Sequence, residues 1–63
     1  MAVSLNLEGL KSVEDVNRLT TALIELDGVD NVEVAREWAE VEGQVNRGQL
    51  VKAVERAGFK VKG

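Results

Sequence analysis

Cysteine, histidine, proline and tyrosine are all missing from these 63 residues, and Trp38, Phe59 and Met1 each stand alone of their kind. Without cysteine, neither a disulfide nor a thiolate can supplement a small core. Without histidine, cysteine or tyrosine the usual proton-transfer and nucleophilic groups are gone. No glycine-rich loop is placed to cradle phosphate, and no carboxylate pair falls in a recognisable cleft. The expectation is that the chain is not an enzyme and carries no cofactor. The absence of proline and of any low-complexity tract leaves no linker, so residues 1–63 read as a single domain.

Long apolar runs are missing too. The longest, Ala22-Leu23-Ile24, is far too short for a bilayer, so no membrane insertion is expected. The start Met1-Ala2-Val3-Ser4 has no basic flank or apolar stretch of signal-peptide length, which makes the cytoplasm the expected compartment. Positive charge is in short supply, with 8 Lys+Arg against 11 Asp+Glu and a net charge of −3. Nucleic-acid binding, which needs a basic stripe against phosphates, is not expected.

What is present is enough for a small fold: 44% hydrophobic and 30% charged residues. A chain of this length buries about 60% of its unfolded surface. Its total stability should be about 3–9 kcal/mol.

Val3, Leu5 and Leu7 alternate with polar residues, the period of a half-buried strand that Gly9 interrupts. Ser12-Val13-Glu14-Asp15 then matches a helix-opening capping signature. An apolar stripe at Val13, Val16, Leu19, Leu23 and Leu26, with Ala22 and Ile24 beside it, predicts a helix to about Leu26. Gly28 is expected at its C′ position. Val29, Val32 and Val34 predict a second strand, Ala35-Arg36-Glu37-Trp38 a hairpin turn, and Ala39, Val41 and Gly43 a third strand. Asn46 with Gln49 three places on opens a second helix whose apolar face is Leu50, Ala53, Val54 and Ala57. Gly58 closes it and Phe59-Lys60-Val61-Lys62 reads as the last strand. The order β-α-β-β-α-β predicts an α+β, ferredoxin-like sandwich. It is a four-stranded antiparallel sheet of order 4-1-3-2 with two helices on one face.

Within this order, three segments carry a resemblance: Glu8-Gly9-Leu10; Leu26-Asp27-Gly28-Val29-Asp30-Asn31-Val32-Glu33-Val34; and Leu50-x-x-Ala53-Val54-Glu55-x-Ala57-Gly58-Phe59. Together they resemble the heavy-metal-associated domain family of soluble copper chaperones and metal-pump modules, over nearly the whole chain. Members carry Gly-Met-x-Cys-x-x-Cys where this chain has Gly9-Leu10-Lys11-Ser12-Val13-Glu14-Asp15. The resemblance implies that Leu10 is the buried anchor of the loop and Phe59 its cover, and that Ser12 and Asp15 occupy the two ligand positions. A hydroxyl and a single carboxylate do not do the chemistry of two thiolates toward a soft ion. Metal is therefore not expected at these degenerate positions.

Other readings attach to the same residues. Ser12 and Asp15 suit helix capping, with Asp15 also facing the positive helix end. A hard-cation site from Asp15, Glu14 and Glu8 would have too few oxygens. Trp38 should point out of the sheet, either resting on neighbouring stems or anchoring a partner. Glu33, Glu40 and Glu42 should share the open sheet face, with Lys60 and Lys62 at its far edge. The leading functional expectation is a protein-interaction or assembly module. Its contact residues would be Gly9, Leu10, Lys11, Ser12, Trp38 and Phe59, and its partner another protein, possibly a metal-transport component, or itself. Two alternatives stand beside it: a metal-binding or transport protein with ligands from a partner or an oxygen-rich site, and a structural homodimer or small-ligand sensor.

Overall fold

A computed structural model describes residues 2–62. Six elements follow one another: β1 (Ala2–Glu8), α1 (Val13–Ile24), β2 (Val29–Val34), β3 (Trp38–Gly43), α2 (Arg47–Arg56) and β4 (Lys60–Val61). The strands form one sheet of order β2-β3-β1-β4, antiparallel at each junction. This is the expected ferredoxin-like arrangement. Val3, Leu5 and Leu7 of β1 face inward, because period two sends every second side chain to the helical layer. They meet Leu19 and Leu23 of α1 and Leu50, Ala53 and Val54 of α2, with Ala39 and Val41 of β3, in one core. No polar or charged side chain is buried among the described residues.

Several boundaries differ from the sequence expectation. Helix α1 ends at Ile24 rather than near Leu26, and Glu25 is its C-cap. Leu26 donates to the Leu23 carbonyl at 3.2 Å in the tightening turn, which lets it pack against the core. Gly28 is therefore not C′; with φ +89° it makes the corner into β2, where its carbonyl accepts from Gln44 N–H at 2.8 Å. A bulge between Val29 and Asn31 follows, which the plain alternation of valines did not announce. The hairpin is shorter than expected, since Trp38 already pairs with Asn6 as the first residue of β3. β4 is shorter as well. Phe59 N–H is committed to the Val54 carbonyl (3.1 Å) and Gly58 N–H to Glu55 (3.0 Å), the two bonds of a Schellman close, so Phe59 cannot enter the ladder.

One side chain expected on the apolar stripe of α1, Val13, and one expected beside it, Ile24, lie largely outside the core. Val13 is 75% exposed and Ile24 46%. Val13 is the first helical residue, and Leu10, three places before it, is the one that is buried.

Candidate functional site

The β1–α1 loop, the β2–β3 hairpin and the α2–β4 junction lie at one end of the sheet, where the chain leaves β1 and β2 and enters β3 and β4. Gly9 begins the loop with φ +98°, a conformation that disfavours any residue with a Cβ. A Cβ there would lie 3.9 Å from Phe59 Cδ1, so the ring packs beside this turn. Leu10 and Phe59 are each 7% exposed and belong to the same core cluster. The structure thus brings Gly9, Leu10 and Phe59 together, with Leu10 inward as expected.

Beyond Leu10 the loop is held by backbone-directed bonds. Ser12, in extended conformation, caps α1, its hydroxyl accepting from Asp15 N–H at 3.3 Å. Asp15 Oδ2 accepts from Lys11 N–H at 2.9 Å. The carboxylate reaches one residue further back than a standard capping box, which would use the N–H of Ser12 itself. Two N–H groups at the helix start are satisfied, and Glu14 and Asp15 place negative charge where the helix dipole is positive.

These bonds decide what the two positions offer a soft cation. One donor is a protonated hydroxyl, the other a carboxylate already turned to the backbone, and neither is a soft ligand. Among the described residues no group of three His, Cys, Asp or Glu side chains is placed to hold a metal ion. The donor set does not fit the metal of a two-cysteine site.

An open hollow of about 540 Å³ lies beside the loop, lined by Leu10, Ala35, Arg36, Glu37 and Trp38. It joins Leu10 of the loop to Trp38 of the hairpin. Trp38 is 45% exposed on the outer face of the sheet, as period two required. The hairpin residues Ala35, Arg36 and Glu37 were read from the sequence only as a turn. Their only signal was the position of that turn, which the fold places at the same end as the β1–α1 loop. Glu37 holds its place by accepting from Leu7 N–H at 2.8 Å, and Ala35 N–H donates to Trp38 O at 2.8 Å.

Comparison with known proteins gives these features a context. No family model matches the chain. Two uncharacterized proteins of Haemophilus influenzae are each 39% identical to it over 61 residues, covering 90% of this chain and 90% of theirs. Among solved structures, the N-terminal domain of PacS from Synechocystis PCC6803 is 28% identical, with a TM-score of 0.90 over 98% of this chain and 94% of that one. The metallochaperone CopZ is 26% identical, with a TM-score of 0.90 over 97% of this chain and 98% of its own. A copper-binding domain of a P-type ATPase shares the fold at 23% identity and a TM-score of 0.91. This likeness, over nearly the whole of both chains, groups the chain with the heavy-metal-associated domains of copper chaperones, in a form that has no cysteine.

Proposed function

We propose that this domain no longer carries metal and works as a protein-interaction or assembly module, not as an enzyme, through its β1–α1 loop and Trp38. The observation that supports this most is the state of the loop. Gly9 keeps its left-handed turn and Leu10 its buried seat, while Ser12 and Asp15 bond to backbone N–H groups. The loop keeps a defined shape without soft ligands, and a defined shape serves recognition. Trp38 adds a half-exposed aromatic beside it, the residue type most enriched among interface anchors.

The partner is another protein or a second copy. Among the described residues no helix is long and apolar enough to cross a membrane, and the working compartment in this proposal is the cytoplasm. The test is affinity capture from the native extract with the wild-type domain and with Trp38→Ala and Lys11→Glu variants. A partner retained by wild type and lost by both variants supports the reading. The alternative, metal handling with ligands from a partner, predicts capture that disappears with a Cu(I) or Zn(II) chelator. Capture of nothing that depends on Trp38, together with no self-association, removes the interaction reading.

A further inference from the structure

The open face of the sheet carries its charges in two separated groups. Glu33 of β2 lies directly opposite Glu40 of β3, and Glu42 follows two places on along the same strand. Like charges directly opposite on one face are unfavourable. At the other corner Lys60 and Lys62 share the face with Glu8, which lies directly opposite Lys60, so two positive charges stand against one negative; Lys62 N–H donates to the Asn6 carbonyl at 2.7 Å. Between the groups lie Ser4, Asn6 and Trp38, with Asn6 opposite Trp38 and Ser4 opposite Glu40, and the Arg47 guanidinium donates to the Ser4 carbonyl at 3.2 Å.

Strand spacing of about 4.8 Å and rise of about 3.3 Å per residue put the two charge centres about 17 Å apart on a diagonal. The midpoint falls on β1 between Ser4 and Asn6, beside Trp38. A twofold axis parallel to the face, through that point and perpendicular to the diagonal, exchanges the acidic corner for the basic one. An axis along the diagonal stacks like on like. Charge therefore favours an axis across the diagonal over one along it.

We propose that the open sheet face binds a second copy of the chain about this axis. The Lys60 and Lys62 end of each copy then lies over Glu33, Glu40 and Glu42 of the other, with the two Trp38 side chains near the centre. The proposal goes beyond the loop-centred interaction reading and shares only Trp38 with it. With principal extents of 28 × 20 × 17 Å, the broadest face limits the pair to about 1,100 Å² of buried area, near the lower end of specific interfaces. Each copy also carries a net charge of −3, which opposes association. The dimer is accordingly weak, reversible and salt-sensitive.

Charge reversal with mixing tests it. Sedimentation of the wild-type chain at low ionic strength should show concentration-dependent dimerisation, weakened by added salt. Trp38, the sole tryptophan, should report it by a blue shift in emission. Lys60→Glu/Lys62→Glu and Glu40→Lys/Glu42→Lys should each weaken self-association tenfold or more. An equimolar mixture of the two should dimerise again, because only an acidic face and a basic face remain to meet. If a reversal variant does not fold by circular dichroism, Glu40→Gln/Glu42→Gln replaces it and should weaken wild-type dimerisation by a smaller factor. A wild-type chain that stays monomeric to millimolar concentration overturns the proposal, as does a mixture no better than either variant alone. If the chain is monomeric yet still captures a Trp38-dependent partner, the dimer falls and the interaction module stands.

Discussion

Asp15 Oδ2 accepts a hydrogen bond from Lys11 N–H at 2.9 Å, closing the loop that leads into α1. The resemblance to heavy-metal-associated domains would put a metal ligand at this position. Here its side chain is spent on the backbone, and one carboxylate ties together the segment from Lys11 to Asp15.

Asp15→Ala should therefore destabilise the fold by about 0.5–1.5 kcal/mol, from loss of the bond and of negative charge at the helix start. Urea melts measure it. The loss should be the same with and without EDTA. A loss seen only with divalent cation present would mean that Asp15 is a ligand instead.

The wild-type chain should leave Cu(I) with a micromolar competitor chelator, having neither cysteine nor histidine. Ser12→Cys/Asp15→Cys should bind it stoichiometrically, because Gly9 and Leu10 already hold the loop's turn and anchor. The metal-free double variant should be less stable than wild type by about 1–2 kcal/mol, since both cap interactions go, and metal should restore the loss. A double variant that binds no better than wild type would show that the loop does not have the geometry of a two-cysteine site.

Two glycines should respond very differently to alanine. At Gly43, φ +142°, an added Cβ would meet the Gly28 carbonyl oxygen at 2.0 Å, backbone against backbone. Gly43→Ala should cost about 3 kcal/mol or more, or prevent folding. Gly58, φ +94°, has nothing within 4 Å of its would-be Cβ. Gly58→Ala should cost only the left-handed backbone, about 1–2 kcal/mol. Thermal melts of the pair would decide, and equal losses would contradict the packing around Gly43.

Leu50 is fully buried among both helices and the sheet. Leu50→Ala should lose about 2–5 kcal/mol, a large share of the about 3–9 kcal/mol available to a domain this size. Urea melts followed by circular dichroism should show the loss as a lowered midpoint. Ile24→Ala, on an exposed residue of α1, should change stability by less than about 1 kcal/mol.

The sequence by itself determined the architecture, because each element carries a strong local signal. Leu5 and Leu7 have the strand period, Leu19 and Leu23 the helix period, and Asn46 with Gln49 forms the full reciprocal cap that its spacing announced. Ser12 and Asp15 were legible as caps for the same reason: the partners lie within four residues. Boundaries were decided by tertiary structure wherever one backbone group had two possible partners. Phe59 N–H went to the Val54 carbonyl and shortened β4, and Trp38 entered β3 because Asn6 was there to pair with it. The exposure of Val13 could not be read from periodicity, which gives an angle around the helix but not how far the core extends beneath it. The hollow joining Leu10 to Ala35, Arg36 and Trp38 is of the same kind. Those residues are some 25 positions apart in sequence, and only the return of the chain to one end of the sheet makes them neighbours.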